Sequence, residues 1–382
     1  MIKRPFLGLG VFMISYLNGG VSSYNTDTLL SHFIEEKFFD DQAYPIVKSR
    51  VEGYLQVSNL HKLFYAIYGN PNGIPVVILH GGPGGGCDDT MVQFFDLSKW
   101  NVIMFDQRGA MRSEPFGCLE ENTPQDLVND IELIKNHLKI KKWVVFGGSW
   151  GSSLSLLYAQ KYPASCLGLI LRGVWLAREQ DYLHLFYGMG KIFPEAYEAV
   201  VQHIPEEERS DLFSAYCHRI FDPNPDIHLS AARIFMRFDA ICSTHCPNPS
   251  FIEEVMKNDK LVLGVMRIFF HYAKNKFFLE KNQILSNMQK IAHLPSILVQ
   301  GRYDAVCFPE IAYSLYQNWK GSNLWMIPNG GHSDDEPPMM SALVAATNLF
   351  IKNMEELNCN DDINSSTKTK SFEPLTIGAA LP

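Results

Sequence analysis

The 382-residue chain predicts an α/β fold: a mostly parallel, doubly wound sheet with a helical segment inserted into it. From Pro75 onward, short apolar runs rich in Val and Ile alternate with segments of helical periodicity, as in parallel sheets with crossover helices. Between about Trp175 and Leu285 this alternation stops. Aromatic segments with helical periodicity, such as Leu229 to Ala240, run there without a clear strand. We therefore expect one α/β core that carries a helical cap.

Six apolar runs predict strands of the sheet. They are Pro75–His80, Trp100–Asp106, Trp143–Gly147, Leu167–Arg172, Ser296–Gln300 and Leu324–Pro328. Between the second and third runs, Thr123 and Pro124 form an N-cap and first-turn signal for a helix. Apolar residues then recur on one helical face, at Leu127, Ile131, Ile134 and Leu138. We expect this helix to cover the sheet.

The predicted organisation has five parts. Residues 24–174 and 286–355 form the two parts of the core, residues 175–285 the cap, residues 1–23 a signal-like segment and residues 356–382 a polar, disordered tail. The first segment places Lys3 and Arg4 before an apolar run from Phe6 to Leu17 that is too short to span a bilayer. This order favours export to the periplasm or outside the cell. A short buried helix or strand of the mature protein is the alternative. No later segment has the pattern of a membrane span.

Composition narrows the classes of function. The chain is 46% hydrophobic and 19% charged, which is typical of a globular protein. Its net charge of −8 argues against nucleic acid as a partner, because such binding depends on clustered Lys and Arg. Eight cysteines form no C-x-x-C pair. Cys242, His245 and Cys246 are close in sequence, but a structural zinc site takes four ligands, so we expect chance clustering and no metal.

Ser149 is the predicted nucleophile. The stretch Gly147-Gly-Ser-Trp-Gly151 follows a buried strand and opens a helix, which is the context of the G-x-S-x-G elbow of α/β-hydrolases. A plain Gly-Ser turn is the weaker alternative. The backbone N–H of Trp150, at the helix start, is then placed to face a developing oxyanion.

A glycine-rich loop offers the second oxyanion donor. His80-Gly-Gly-Pro-Gly-Gly-Gly86 follows the first predicted strand, and its glycines let the backbone approach a ligand closely. We assign the N–H of Gly82 to this role. A phosphate-binding loop is disfavoured because Cys87 and Asp88 stand where such a loop requires Lys and Ser or Thr.

Asp304 and His332 complete a predicted triad. Both follow predicted strands, and the order Ser, acid, His is that of α/β-hydrolases. The histidine would act as base, and the aspartate would fix its tautomer. The acidic run from Asp334 to Glu336 offers rival acids, although these adjoin the base and lack a strand end of their own.

The motifs, in this order, resemble the proline iminopeptidase (prolyl aminopeptidase) family of α/β-hydrolase-fold serine peptidases over about Ala43 to Ile351. The motifs are His80-Gly-Gly-Pro-Gly-Gly-Gly, Asp106-Gln-Arg-Gly109, Gly147-Gly-Ser-Trp-Gly-Ser152, Leu171-Arg-Gly173, Gly301-Arg-Tyr-Asp-Ala-Val-Cys307 and Gly331-His-Ser333. The resemblance implies release of N-terminal proline from short peptides, without cofactor or metal, and a cytoplasmic location as is usual for the family.

The resemblance also implies cap carboxylates that bind the protonated imino group. The segment from Ala231 to Asp239 resembles the family's W-E stretch, with Asp in place of Glu. The segment from Val265 to Tyr272 resembles its I-E-N-H-Y stretch, with Phe269 where Glu is expected. Losing one charge-assisted hydrogen bond typically costs about 1.5–3 kcal/mol, or roughly ten- to a hundredfold in affinity. A shift toward small esters or amides is therefore the second hypothesis.

Two further expectations concern the surroundings of the site. Arg172, in the Leu-Arg-Gly motif, either binds substrate or neutralises charge beneath the cap. The cap aromatics either line an apolar pocket or are plain core; they include Trp175, Phe235, Phe238, Phe269 and Phe270. A catalytically silent, hydrolase-like binding protein is the third hypothesis, which the intact triad disfavours. The sequence leaves the oligomeric state open.

Overall fold

A computed structural model of the chain describes the backbone of residues 41–361 and the side chains of residues 41–354. The described part contains one sheet of eight strands. These are β1 (Val51–Gln56), β2 (Lys62–Gly69), β3 (Ile74–Leu79), β4 (Trp100–Phe105), β5 (Trp143–Gly148), β6 (Cys166–Arg172), β7 (Ser296–Gly301) and β8 (Ser322–Ile327). Their order across the sheet is β1-β2-β4-β3-β5-β6-β7-β8.

One strand, β2, runs opposite to the other seven. It pairs antiparallel with β1 and with β4, and every other neighbouring pair is parallel. The parallel strands are buried on both faces, which explains their continuous runs of Val, Ile and Leu. All six residues of β5, for example, are buried. The carboxyl ends of β3 to β8 therefore share one edge of the sheet.

Helices join and cover the strands. They are α1 (Pro124–His137), α2 (Trp150–Lys161), α3 (Glu179–Tyr187), α4 (Pro194–Gln202), α5 (Leu212–Ile220), α6 (Pro225–Cys242), α7 (Pro249–Met256), α8 (Asp259–Lys274), α9 (Gln283–Ser286), α10 (Pro309–Gln317) and α11 (Pro337–Asp361). The predicted start of α1 is confirmed, since Thr123 and Asp126 form a reciprocal capping box before its first turn.

The sheet separates two apolar cores because successive strand residues point to opposite faces. In β3, Val77 and Leu79 pack with α1 and α2 on one face, whereas Val76 and Ile78 pack with α11 on the other. The first core continues into the helices between β6 and β7. Those helices are thus joined to the sheet by packed apolar side chains.

The six predicted strands are all present, and none of their ends is displaced by more than two residues. The largest displacement is at β8, predicted as Leu324–Pro328 and observed as Ser322–Ile327. Strands β1 and β2 were not predicted, so the antiparallel edge of the sheet corrects the sequence-based count. None of the six residues of β1 is buried, and four of them are exposed, so its apolar pattern is weak.

Between β6 and β7, residues 173–295 contain helices and no strand, in agreement with the helical periodicity of the sequence. The predicted helical segment Leu229 to Ala240 lies inside α6. Helix α11 continues past position 356, where the polar tail was predicted to begin. The signal-like segment 1–23 and residues 362–382 lie outside the described residues. Within residues 41–361, no helix combines the length and apolar character needed to cross a bilayer.

Candidate active site

The residues predicted to act in catalysis lie at the carboxyl edge of the parallel strands. Ser149 lies between β5 and α2, Asp304 follows β7, and His332 follows β8. Ligand sites of open α/β sheets form at this edge, because the connections after the strands meet there. The structure therefore brings together three residues that span 183 positions of the sequence, from Ser149 to His332.

Ser149 occupies a strained turn. Its φ of 56° and ψ of −126° are unfavourable for a residue with a side chain. The flanking glycines make the turn sterically feasible. A Cβ atom on Gly147 would lie 2.2 Å from Ser155 Oγ, and one on Gly151 would lie 1.9 Å from the carbonyl oxygen of Leu79. The G-x-S-x-G spacing thus serves the backbone geometry that exposes the serine hydroxyl.

His332 and Asp304 are hydrogen-bonded. The Nδ1 atom of His332 lies 3.0 Å from Oδ2 and 3.1 Å from Oδ1 of Asp304. The buried Asp304 carboxylate also accepts the backbone N–H groups of Val306 and Cys307, at 3.0 and 2.7 Å. An ionised carboxylate only accepts, so Nδ1 of His332 carries the donated proton and Nε2 is left as an acceptor.

The rival acids after His332 have other partners. Asp334 Oδ2 accepts from Arg172 Nη2 at 2.8 Å. Glu336 accepts the backbone N–H groups of Gly331 and His245, at 2.7 and 2.9 Å. The carboxylates of Asp334 and Glu336 thus hold the loop that carries His332. The carboxylate that contacts the His332 ring is that of Asp304.

A cavity of about 250 Å³ opens beside Ser149. Its lining from the core consists of Gly81, Gly82, Pro83, Ser149, Arg172, Val306, Cys307, His332, Ser333 and Asp334. The helical insertion contributes Trp175, Leu185, Phe235, Asp239, Ser243, Val265, Met266 and Phe269. The cavity therefore joins the predicted nucleophile and base to the predicted cap residues.

The two proposed oxyanion donors belong to segments adjacent to Ser149. A Cβ atom on Gly81 would lie 3.3 Å from the Cβ atom of Ser149, so the glycine loop passes close to the nucleophile. The next residue, Gly82, has φ +113°, which favours glycine. Trp150 is the first residue of α2, where a backbone N–H has no partner within the helix.

Asp239 offers a carboxylate to the cavity from α6. Asp239 lines the cavity, and its carboxylate has no hydrogen-bond or ion-pair partner among the described side chains. Burial raises the pKa of the Asp239 carboxyl, and the neighbouring His332, when charged, opposes that rise. A cationic ligand group would compensate for the lost hydration of this carboxylate.

Arg172 is held by the loop of the histidine. Its Nη1 donates to the carbonyl oxygen of His332 at 3.0 Å, and its Nη2 donates to Asp334. Burial is the largest single effect on Arg172 and lowers its pKa, but the nearby carboxylates of Asp334 and Asp304 together outweigh it, so the pKa of Arg172 is raised. Arg172 also lines the cavity, so the structure fits charge neutralisation and leaves substrate contact as an open role.

The cap aromatics divide between the two expected roles. Trp175, Phe235 and Phe269 line the cavity, whereas Phe238 and Phe270 are buried and absent from its lining. Phe269 stacks against Phe235 with ring centroids 6.0 Å apart. At the position where the resemblance implies a Glu, the cavity wall is therefore an aromatic ring.

Sequence reasoning did not assign a role to Cys307. Its thiol lies with Asp304 and His332, the ligating atoms of the three residues being within 4.8 Å of one another. Burial and the adjacent Asp304 raise the pKa of the Cys307 thiol well above its usual range. Among the described residues, Cys242, His245 and Cys246 do not form such a group of closely spaced ligating atoms. The signal for Cys307 was its place in the motif that contains Asp304.

Known proteins match the chain over the region that contains Ser149, Asp304 and His332. The alpha/beta hydrolase fold family matches residues 74–334. A protein named probable proline iminopeptidase from Leptolyngbya boryana is 45% identical over 81% of this chain and 97% of that protein. A protein named proline iminopeptidase from Arabidopsis thaliana is 41% identical over 86% of this chain and 87% of that protein.

Solved structures support the fold. A crystal structure of a proline iminopeptidase from Mycobacterium smegmatis is similar with a TM-score of 0.53, and the match covers 80% of this chain and 100% of that chain. The two sequences are 18% identical, so this likeness concerns the fold alone.

Proposed function

The chain belongs to the proline iminopeptidase family of α/β-hydrolase-fold enzymes, and we propose that it releases N-terminal proline from peptides through an acyl-enzyme on Ser149. The observation that carries the proposal is the Asp239 carboxylate, which lines the same cavity as Ser149 and has no hydrogen-bond or ion-pair partner among the described side chains. A partly desolvated carboxylate without a partner favours a cationic ligand.

The position of that carboxylate suits an exopeptidase. In a peptide with N-terminal proline, the protonated imino nitrogen is separated from the scissile carbonyl carbon by one atom, Cα. The group that binds the cation must therefore lie close to the nucleophile. A cavity of about 250 Å³ that contains both groups supports recognition of one terminal residue. The aromatic wall formed by Trp175, Phe235 and Phe269 suits the apolar face of a proline ring.

The proposed reaction has two halves. In the first, His332 takes the proton of Ser149, and Ser149 Oγ attacks the scissile carbonyl carbon. The backbone N–H groups of Trp150 and Gly82 stabilise the oxyanion that forms. The C–N bond then breaks, and His332 gives its proton to the leaving amine.

In the second half, water attacks the prolyl ester and gives a proton to His332. The bond between the carbonyl carbon and Ser149 Oγ then breaks, His332 returns the proton to Oγ, and free proline leaves. Asp304 keeps Nδ1 of His332 protonated and stabilises the imidazolium in both halves. Each step uses groups of this chain and water.

A peptide panel tests the proposal. The chain is incubated with peptides that differ only in the first residue, which is Pro, Ala, Leu or N-acetyl-Pro, and the released amino acids are quantified. We expect proline to be released from the free-imino peptide in preference to the others. Ser149→Ala should abolish release while leaving the fold intact. Preferred cleavage of the acetylated peptide or of a short acyl ester would instead support the esterase or amidase hypothesis, which the relatives do not favour.

A further inference from the structure

We propose that Gln107 is a positioning residue that fixes the two oxyanion donors relative to each other. It connects His80, which begins the glycine loop of Gly82, with Trp150, which begins α2. The inference rests on the proposed function, because it assigns a task within the oxyanion hole. Neither the triad nor the cap accounts for Gln107, the second residue of the Asp-Gln-Arg-Gly motif.

The three residues form a buried hydrogen-bond network. The side-chain amide of Gln107 donates from Nε2 to the carbonyl oxygen of His80 at 2.9 Å and accepts at Oε1 from Trp150 Nε1 at 2.9 Å. The backbone N–H of Gln107 donates to His80 Nε2 at 3.0 Å. All three residues are at most 2% exposed. Hydrogen bonds in such surroundings cannot be replaced by water, so they hold a specific geometry.

The strand order explains why a residue after β4 can reach both donors. Strand β3 lies between β4 and β5 in the sheet. Gln107 follows β4, His80 follows β3, and Trp150 follows the elbow after β5. Gln107 therefore spans the carboxyl ends of three adjacent strands. Its amide group is the link between the loop of Gly82 and the helix of Trp150.

His80 extends the link to the glycine loop. Its Nδ1 lies 2.9 Å from the carbonyl oxygen of Gly81 and 3.0 Å from the backbone nitrogen of Gly86. A neutral ring protonated at Nδ1 satisfies the contacts with Gly81 and with the Gln107 backbone, whereas the other tautomer satisfies only the one with Gly86. Burial lowers the pKa of His80, which favours the neutral ring. His80 thus orients the peptide group that precedes Gly82.

The neighbouring motif residues have different partners. Asp106 binds Arg112, with Arg112 Nε 2.7 Å from its Oδ2. Arg108 forms a bidentate pair with Asp130, at 2.7 and 2.8 Å. These two ion pairs secure the loop after β4. Asp106 also accepts the backbone N–H of Cys87 at 2.8 Å, directly after the glycine loop. Of the three side chains, only that of Gln107 is hydrogen-bonded to both His80 and Trp150.

The role predicts a transition-state effect. An oxyanion hole acts because its donors are already placed where negative charge develops. Displacing a donor should therefore weaken binding of a tetrahedral adduct and leave binding of the planar substrate or product almost unchanged. A merely structural role would instead lower the amount of folded protein or weaken all ligands alike.

The test uses two variants of Gln107 and one variant of its hydrogen-bond partner Trp150. Gln107→Met removes both side-chain hydrogen bonds at similar volume and keeps the backbone bond to His80, and Gln107→Glu keeps an acceptor for Trp150 while losing the donor to His80. Trp150→Phe removes the indole N–H and keeps the backbone N–H at position 150. The matched control is Tyr158→Phe, which removes the acceptor of another buried indole, Trp143 Nε1 at 3.2 Å, at the other end of β5.

Kinetics on a proline anilide separate the outcomes. We expect Gln107→Met to lower kcat about 10- to 100-fold, less than the roughly 100- to 1,000-fold loss on deletion of an oxyanion donor, with KM within about threefold. Affinity for prolinal, whose adduct places an oxyanion in the hole, should fall by the same factor as kcat, and affinity for free proline should not. Adding Trp150→Phe should cost little more. Gln107→Glu should lower kcat at least as much as Gln107→Met, because its buried carboxylate would face the carbonyl oxygen of His80.

Three results would overturn the inference. They are a kcat of Gln107→Met within twofold of wild type, a loss of affinity in Gln107→Met that is equal for prolinal and proline, and a loss of kcat in Tyr158→Phe equal to that in Gln107→Met.

The rate at which a serine-directed phosphonate labels Ser149 is measured in every variant. This rate depends on the oxyanion hole and not on recognition of proline. If wild type is labelled but releases no proline, the proposed function fails, and slower labelling of Gln107→Met alone still supports the inference. If wild type is not labelled, both fail.

Discussion

The Nδ1 atom of His332 lies 3.0 Å from Oδ2 of Asp304, whose other oxygen accepts two backbone N–H groups. The carboxylate therefore has a fixed orientation that does not depend on the histidine. Its contact with Nδ1 selects the tautomer in which Nε2 is free to accept the serine proton. The placement of this pair leads to the first prediction.

Asp304→Asn should lower kcat by about 10⁴-fold, because an amide at this position can stabilise the wrong tautomer of His332. The change is nearly isosteric, so the free energy of unfolding should alter far less than the activity. Measuring kcat on a proline anilide alongside urea unfolding separates the two effects. Activity within tenfold of wild type would remove Asp304 from the triad.

Asp239→Asn should lower kcat/KM for free-imino proline substrates about 10- to 100-fold, because one charge-assisted hydrogen bond is lost. Hydrolysis of an N-blocked substrate should change by less than threefold, since that substrate has no cation to bind. Steady-state kinetics on the paired anilides measure both effects. Equal losses on the two substrates would show that Asp239 supports the fold or the triad and not cation recognition.

The same carboxylate should make stability depend on pH. Burial raises the pKa of Asp239 in the folded state above its ordinary value of 3.8. Between these two values the folded state binds more protons than the unfolded state, so the free energy of unfolding falls as pH rises through that window. Asp239→Asn removes this fall. We expect the variant to gain stability relative to wild type as pH increases from 4 upward, measured by urea unfolding across pH. A constant difference would contradict this origin.

Glu336→Ala should destabilise the protein by about 1–3 kcal/mol, because the N–H groups of Gly331 and His245 lose a buried charged acceptor. Since Gly331 precedes His332, kcat should fall as well. Asp335→Ala is the matched control, because Asp335 is adjacent and exposed. Urea unfolding and kcat of both variants are compared, and a control as damaging as Glu336→Ala would contradict the role of these two contacts.

The parallel part of the fold was predictable from the sequence because strands such as β5 are buried on both faces and appear as apolar runs. The antiparallel edge was not. Along β1 exposed residues predominate, so its pairing with β2 depends on neighbours that a single sequence does not reveal. The residues between Trp175 and Leu285 were assigned to helices correctly, since helical periodicity persists there.

In the candidate site, too, some features could be predicted from the sequence and others could not. Ser149, Asp304 and His332 could be proposed because each belongs to a motif after a strand. The network of Gln107 could not, because it depends on β3 lying between β4 and β5, which chain order does not reveal. The ion pair of Arg172 with Asp334 likewise joins the end of β6 to the loop after β8, 162 positions further along the chain. Contacts of this kind follow from strand order and burial.

The most direct test of the central claim is the ratio of kcat/KM for a proline anilide with a free imino group to that for its N-acetylated counterpart. The account predicts a ratio above about 10, since binding of the cation by a partly desolvated carboxylate is worth roughly one to two decades. A ratio at or below one would contradict the assignment as a prolyl aminopeptidase and would identify the cavity as that of an esterase or amidase.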